Sequence, residues 1–182
     1  VLDLCAGTGD MTLALVTDDM DCKVVMLDFS REMLKLAKSK TKGVSGRVTA
    51  LEADAAKTPF QDMTFDAAMC GFGVRNMESA EAGLREIARV LKPGARVVVL
   101  DFFKPEGGLM TAFYKFYMNF VVTKVGAAIS KDPSAYSYLP TSAKNFMAVG
   151  EFAKLMGDCG FKDVSVETYT AGIAAAVVGT RK

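Results

Sequence analysis

Short apolar runs alternate with amphipathic segments along most of the chain. Five of these runs are rich in valine, leucine or alanine and have the length of strands buried on both faces of a sheet. They lie at residues 1–4, 23–27, 47–51, 65–69 and 96–100. Helices are predicted between them, and strands that alternate with helices form a doubly wound, parallel α/β sheet.

Two of the intervening segments have a clear helical pattern. In residues 31–40 the apolar positions share one face, and lysines crowd the last turn, where they complement the helix dipole. In residues 80–94 the apolar stripe extends to Leu91, and the Pro-Gly pair two residues later is predicted to end the helix. Because no repeat or linker interrupts the pattern, residues 1–182 are predicted to form a single domain.

Composition excludes several classes of function. Lys plus Arg total 22 and Asp plus Glu total 21, so no strong field attracts nucleic acid. The absence of histidine excludes Ser-His-Asp and Cys-His hydrolases and most zinc catalysis. The four cysteines lie far apart without a CxxC pair, which favours reduced thiols in the cytosol over disulfides or a metal site. The chain opens on a strand without Met, and we expect an N-terminal segment to precede it.

A glycine-containing turn follows the first predicted strand. Gly7 and Gly9 flank Thr8, and a helix comes next, so the backbone can approach a ligand at the carboxyl end of the sheet. A dinucleotide-binding fold would place a third glycine where this chain has Thr12. The turn alone therefore indicates a nucleotide-type site without defining the ligand.

Acidic residues stand near this turn and near the ends of the first three strands. Asp3 is expected at the end of the first strand, Asp10 follows the glycines, Asp28 ends the second strand, and Asp54 follows the third. Two carboxylates beside the turn would repel a pyrophosphate and attract a ligand that carries a sulfonium and an ammonium group. S-adenosylmethionine is such a ligand.

Asp28 and Asp54 have a second interpretation. Asp28 lies nineteen positions beyond Gly9 and could accept both ribose hydroxyls, with Asp54 and Ala55 near the adenine. Either aspartate could instead cap the turn or helix that follows it. Their occurrence at successive strand ends favours the nucleoside site.

Several stretches of the chain resemble class I S-adenosylmethionine-dependent methyltransferases, specifically the ubiquinone/menaquinone biosynthesis C-methyltransferase family. These stretches are VLDLCAGTGD, DFSREML, EADAAKTPF, FDAAMCGFGVRN, REIARVLKPG, DFFKP and AYSYLPTS. The resemblance covers the whole chain and implies a Rossmann-like, mainly parallel seven-stranded sheet whose last strand is antiparallel. It also implies that Thr8 and Gly71 contact the cofactor. The complete set expected to bind S-adenosylmethionine is Asp3, Gly7, Thr8, Gly9, Asp28, Phe29, Asp54, Ala55 and Gly71.

The resemblance further implies that Arg75 and Asn76, in GFGVRN, act on the methyl acceptor. Arginine keeps its proton because its pKa is above about 12, so it cannot be a general base. We expect Arg75 to stabilise a developing phenolate or to orient a water that takes the proton, and Asn76 to add a hydrogen bond. The alternative is a loop arginine paired with Glu78 or Glu81.

Residues 102–146 interrupt the alternation and are dense in aromatic residues and methionine. Polar residues such as Lys115 and Lys124 break the apolar run, so it is not a membrane span. The segment is predicted either to cover the sheet edge or to form a cap over an apolar substrate and touch a membrane surface. Tyr136 and Tyr138 would then line a ring pocket or simply pack.

The expected function is C-methylation of a prenylated quinol, such as demethylmenaquinol, by a cytoplasmic enzyme peripheral to the membrane. Methylation of another small apolar phenol or a sterol is an alternative within the same fold. A non-catalytic lipid or quinone carrier with a relic nucleoside site is an alternative of another class. A homodimer is left open, and neither a metal ion nor nucleic acid is expected as a partner.

Overall fold

The fold is a single mixed sheet with helices on its faces. The structure is a computed structural model, and it describes residues 1–18, 21–104, 146–169 and 172–182. In these residues the strands are β1 (Leu2–Leu4), β2 (Val24–Asp28), β3 (Val48–Glu52), β4 (Phe65–Gly71), β5 (Leu91–Phe102), β6 (Phe161–Tyr169) and β7 (Ala174–Arg181). The helices are α1 (Asp10–Asp18), α2 (Arg31–Lys40), α3 (Ala80–Val90) and α4 (Val149–Asp158), with short 3₁₀ turns at Lys42–Val44 and Val74–Asn76.

The strands follow the order β3-β2-β1-β4-β5-β7-β6. Strands β1 to β5 pair in parallel, whereas β7 is antiparallel to both β5 and β6. The predicted seven-stranded, mainly parallel sheet with an antiparallel last strand is therefore confirmed. The strand order reverses between β1 and β4, and in open α/β sheets ligands bind at such a reversal, beyond the carboxyl ends of the strands.

Both faces of the sheet are covered by apolar side chains, as the continuous apolar runs predict. Leu27, Val97 and Ile87 belong to the main core, which extends to α4. Alternate residues of the same strands point the other way, so that Met26 packs with Leu34 of α2 in a separate cluster.

The predicted end of the third helix was wrong. Helix α3 ends at Val90, and β5 begins directly with Leu91, which is fully buried and pairs with Phe65. Pro93 disfavours the helical conformation of the residue before it, so the helix cannot extend through Lys92. The carbonyl of Val90 instead accepts a hydrogen bond from the backbone N–H of Thr64 at 2.8 Å.

The predicted insertion at residues 102–146 falls almost wholly on residues 105–145, which lie outside the described part of the chain. Tyr136 and Tyr138 lie there as well. None of the described helices is long and apolar enough to cross a membrane.

Candidate functional site

The first turn is fastened to the end of β2. Gly7 and Gly9 have φ of 54° and 77°, the left-handed region that favours glycine. A β-carbon on Gly9 would lie 3.0 Å from Cβ of Ala37, so this glycine also lets the turn pack closely on α2. The backbone N–H of Gly7 donates to Oδ2 of Asp28 at 2.8 Å, which joins the turn to the second strand.

Asp28 and Asp54 both stabilise local turns, as their second interpretation predicts. Oδ1 of Asp28 accepts from the N–H of Ser30 at 2.8 Å, and Oδ1 of Asp54 accepts from the N–H of Ala56 at 2.8 Å. Asp28 is buried, whereas Asp54 is exposed. The two interpretations are compatible, because both aspartates also line one cavity.

This cavity lies at the carboxyl ends of β1, β2 and β4 and has a volume of about 1090 Å³. Its size is at the upper end of small-molecule sites, which measure about 300–1,000 Å³. The described residues that line it are Cys5, Gly7, Leu27, Asp28, Phe29, Ser30, Met33, Asp54, Ala55, Ala56, Gly71, Phe72, Gly73, Asn76, Met77, Glu78, Ser79 and Ala82. The cavity therefore brings together residues from four separate stretches of the sequence.

Most of the predicted site residues meet in this cavity. Those that line it are Gly7, Asp28, Phe29, Asp54, Ala55, Gly71 and Asn76. Four other predicted site residues are not among the described residues that line the cavity: Asp3, Thr8, Gly9 and Arg75. A β-carbon on Gly71 would lie 2.0 Å from Sδ of Met11, so the strand end leaves no room for a side chain unless Met11 moves.

Asp3 lies beneath the turn, in the middle of β1 and not at its end as predicted. Its Oδ2 accepts from Oγ1 of the buried Thr12 at 2.6 Å, which explains why a threonine occupies the third glycine position. Within the described residues, Oδ1 of Asp3 is buried without a hydrogen-bond partner. Burial, partly offset by the bond from Thr12, raises the pKa of Asp3 to about 6.

Asp10 does not present its charge to the cavity, and this corrects the electrostatic argument from sequence. Nζ of Lys40 lies 2.8 Å from both carboxylate oxygens of Asp10 and 3.0 Å from Oγ1 of Thr8. The hydrogen bond from Lys40 is the main reason that the pKa of Asp10 is lowered. The carboxylates that do line the cavity are Asp28, Asp54 and Glu78, and Glu78 was missed.

Arg75 is buried beside the cavity in the 3₁₀ turn at Val74–Asn76. Its guanidinium forms an ion pair with Oδ1 of Asp101 at 2.5 Å and donates to the carbonyl of Phe72 at 2.6 Å. It also lies 6.0 Å and 5.4 Å from the ring centroids of Phe72 and Phe102. The alternative of a loop arginine paired with Glu78 or Glu81 named other partners: among the described residues Arg75 pairs with Asp101, and Glu81 pairs with Arg85 at 2.8 Å.

Sequence reasoning missed several lining residues that the tertiary structure supplies. Phe72 has φ of 57° and is 40% exposed, which a buried strand end would not indicate. Ser30 and Ser79 are the N-caps of α2 and α3, and their type and position could have been found from the helix-start pattern. Met33 lies on the first turn of α2 and lines the cavity, although the helical pattern places it on the same face as the buried Leu34 and Ala37.

Comparison with known proteins gives the chain's family. The model of the ubiE/COQ5 methyltransferase family matches residues 1–181. The chain belongs to this family. The ubiquinone/menaquinone biosynthesis C-methyltransferase UbiE of Syntrophotalea carbinolica is 39% identical over 181 residues, which are 100% of this chain and 76% of that protein. The demethylmenaquinone methyltransferase of Thermus thermophilus is 41% identical over 181 residues, 100% and 82% of the two chains.

Solved structures share the fold at lower identity. Phosphoethanolamine N-methyltransferase 2 of Haemonchus contortus superposes with a TM-score of 0.74 at 17% identity, covering 99% of this chain and 48% of that one. A SAM-dependent methyltransferase of Aquifex aeolicus gives 0.67 at 20% identity, covering 100% and 81%. These similarities confirm the predicted fold. Family membership confirms the predicted enzyme class, a methyltransferase, and its predicted cofactor, S-adenosylmethionine.

Proposed function

We propose that this protein methylates a ring carbon of a prenylated quinol, such as demethylmenaquinol, and that the cavity at the strand ends holds both reactants. The observation that carries the proposal is that one cavity is lined by Asp28, which ends β2, and Asp54, which follows β3, at what we call its acidic end, and by Phe72 and Met77, which follow β4, at what we call its apolar end. Two ligands of different chemistry thus fit one space. When bound, S-adenosylmethionine supplies the methyl group as an electrophile on its sulfonium.

The acidic end fits the nucleoside part of the cofactor. Asp28 is held at the strand end by two backbone N–H groups, and carboxylate oxygens accept more than one hydrogen bond each, so it remains able to accept from ribose hydroxyls. Gly7 has no side chain to fill the space above the turn, where a β-carbon would meet only the carbonyl of Cys5 at 4.0 Å. Asp54 adds negative charge at this end, which favours a cationic ligand.

The apolar end fits the methyl acceptor, and Arg75 is proposed to act there through its charge. A quinol carbon becomes nucleophilic when its hydroxyl loses a proton and the phenolate charge spreads to the ring. Arg75 is buried behind Phe72, where water screens it little, and its charge is partly balanced by the ion pair with Asp101, so we propose that it acts through the field of this pair. Asn76 lines the cavity and is exposed, and its amide, which donates to the carbonyl of Phe72 at 3.4 Å, is proposed to donate a second hydrogen bond to a ring oxygen.

A prenyl tail is proposed to enter from a membrane surface, with the enzyme on the cytoplasmic side. The cavity edge carries Phe29 and Met33, which are 79% and 44% exposed, and Leu36 on the same helix is 54% exposed. Exposed apolar residues beside basic ones favour a membrane interface, and α2 ends with Lys38 and Lys40. Homodimer formation stays a prediction.

Isothermal titration calorimetry with S-adenosylmethionine tests the cofactor end. Replacing Asp28 by Asn removes a charge-assisted acceptor and should weaken binding about 10- to 100-fold. Glu32→Gln is the matched control, because Glu32 is an exposed carboxylate on α2 that pairs with Lys35. Tight binding of NADH in place of S-adenosylmethionine would contradict the assignment.

Transfer of a radiolabelled methyl group tests the acceptor. We expect incorporation into demethylmenaquinol or a ubiquinone precursor and none into sterols or simple phenols without a prenyl tail. Preferential methylation of a sterol would favour the alternative enzyme. Binding of quinol without any methyl transfer would favour the carrier.

A further inference from the structure

Two cysteines lie close together at the turn that follows β1: Cys5, in the turn itself, and Cys70, in β4. Cys70 lies in β4 opposite Leu4 of the neighbouring β1, and Cys5 follows Leu4 directly. The point that a β-carbon on Gly73 would occupy lies 2.9 Å from Sγ of Cys5 and 3.0 Å from Sγ of Cys70. The two sulfurs are therefore neighbours, and the absence of a side chain at Gly73 leaves them room.

The two thiols differ in access. Cys5 is half-buried and lines the cavity, whereas Cys70 is fully buried. Hydrogen bonding with the Cys5 side chain, together with burial, raises the pKa of the Cys70 thiol well above its ordinary value. Cys70 therefore stays protonated at neutral pH, and an oxidant that enters the cavity meets Cys5 first.

Cys5 also has an unusual backbone conformation. Its φ is 54°, in the left-handed region, which is strained for a residue other than glycine. This conformation turns its β-carbon towards Gly73, where the same reference point lies 2.3 Å from Cβ of Cys5. A regular strand residue after Leu4 would point to the opposite face of the sheet from Leu4.

We infer that Cys5 and Cys70 are a dithiol modification site, at which a hydroperoxide forms a reversible disulfide that weakens binding of the methyl donor. The location of the donor rests on the proposed function, whereas the disulfide itself does not. Transient disulfides in reducing compartments are usually regulatory or catalytic.

The chemistry balances with a peroxide as the oxidant. Cys5 loses its thiol proton and attacks the O–O bond as the thiolate, its sulfur becomes a sulfenic acid, and the other oxygen takes up that proton and leaves as water or an alcohol. The sulfur of Cys70 then attacks the sulfenic sulfur, and the S–S bond forms. The hydroxyl group leaves with the thiol proton of Cys70 as water. Two electrons have passed from the two thiols to the peroxide.

The bond would alter the cofactor end of the cavity. A disulfide fixes the two β-carbons about 3.5–4.5 Å apart with a narrow range of dihedral angles. Forming it moves Cys5, and with it the turn whose Gly7 N–H donates to Asp28. Gly71 and Gly73 on the β4 side line the same cavity and are adjacent to Cys70 or packed on it. The turn with Gly7 and the β4 side with Gly71 and Gly73 would therefore both be affected by the disulfide.

Peroxide treatment followed by mass spectrometry and calorimetry tests the inference. In the full chain we expect an intact mass lower by two hydrogens, a cross-linked Cys5–Cys70 peptide, and S-adenosylmethionine affinity reduced about tenfold or more. Dithiothreitol should restore both. The Cys22→Ser/Cys159→Ser double variant retains the pair and should respond in the same way. Cys70→Ser should give no cross-linked peptide, and Cys5→Ser provides the same test if that variant fails to fold.

The absence of the cross-linked peptide in the unmodified chain would overturn the inference. So would a complete cross-link that leaves S-adenosylmethionine affinity unchanged. If the cross-link forms but the reduced protein does not bind S-adenosylmethionine at all, the proposed function is contradicted and the disulfide is supported. The two ideas can therefore fail separately.

Discussion

At the scale of single residues, Asp3 couples stability to pH. Burial raises its pKa to about 6 in the folded chain from 3.8, so the folded state favours the protonated form. Its contribution to stability is complete below about pH 4 and is lost as the pH rises through about 6, by about 3 kcal/mol in total.

We therefore expect the Asp3→Asn variant to gain stability relative to the original chain as the pH rises from about 4 to about 7. The gain should reach about 3 kcal/mol, because asparagine cannot ionise. Urea unfolding of both proteins across this range measures the difference. A difference that stays constant with pH would show that Asp3 does not titrate there.

Also at the scale of single residues, the burial of Arg75 makes its replacement by alanine hard to interpret. Arg75→Ala would leave the buried Asp101 without its partner, and loss of one partner of a buried ion pair costs about 3–5 kcal/mol. Burial already raises the pKa of Asp101, and Arg75 opposes that shift. Low activity in this single variant could therefore reflect unfolding.

The double replacement Arg75→Met with Asp101→Leu separates the two roles. Removing both charges should recover part of the free energy of unfolding, because apolar pairs can replace buried ion pairs, but the backbone N–H groups of Arg75 and Phe102 lose Asp101 as their acceptor. Turnover should stay at least about tenfold low if Arg75 stabilises a developing charge. Denaturant unfolding and steady-state methyl transfer measure the two effects. Full recovery of turnover would show that Arg75 is only structural.

At the scale of elements, the turn between β1 and α1 depends on Gly9 for its packing. A β-carbon there would lie 3.0 Å from Cβ of Ala37 and 3.1 Å from Sδ of Met26, at a φ that disfavours other residues. The second glycine of the turn thus serves contact between the turn, α2 and β2. Gly7 instead faces the cavity.

Gly9→Ala should lower the free energy of unfolding by about 1–3 kcal/mol and weaken binding of S-adenosylmethionine. Gly150→Ala is the matched control, since Gly150 lies in α4 with no atom of the described residues within 4 Å of an added β-carbon, and alanine favours helix. Thermal unfolding of the two variants should shift in opposite directions or leave the control unchanged. Equal destabilisation would contradict the packing role of Gly9.

At the scale of the whole molecule, exposed apolar residues lie at two places far apart on the surface, one near the cavity and one at the opposite edge of the sheet. Leu36 lies on α2 near the cavity edge, and Val166 lies on β6 at the far edge of the sheet. They are 54% and 41% exposed. If the molecule meets a membrane with one side, only the side with the cavity should matter.

Leu36→Asp should reduce co-sedimentation with anionic phospholipid vesicles several-fold, because it removes apolar area and adds a repelled charge. Val166→Asp, on the other edge, should have little effect. Equal losses in both variants would indicate non-specific adhesion. No binding of the original chain would contradict the proposed membrane contact.

The amino-acid sequence by itself determined the order of strands and helices, the parallel sheet and the edge at which the ligand would lie. Periodicity predicts these features because they depend on local apolar patterns and on the general topology of α/β sheets. Asp28 and Gly7 could be found in this way, since both stand at strand ends. The antiparallel last strand, the expected cofactor contact of Gly71 and the proposed role of Arg75 came from resemblance to a family.

Only the tertiary structure decided which charges face the cavity. Asp10 pairs with Lys40, thirty positions away, and Arg75 pairs with Asp101, twenty-six positions away. The contact of Cys5 with Cys70 also joins residues that are far apart in the sequence. Such pairs depend on strand register and side-chain direction, which no local pattern encodes. The sequence therefore located the edge of the sheet at which the cavity lies, because strand ends follow from local patterns. The chemical environment of each residue there depended on the folded chain, because it is set by contacts between distant parts of the sequence.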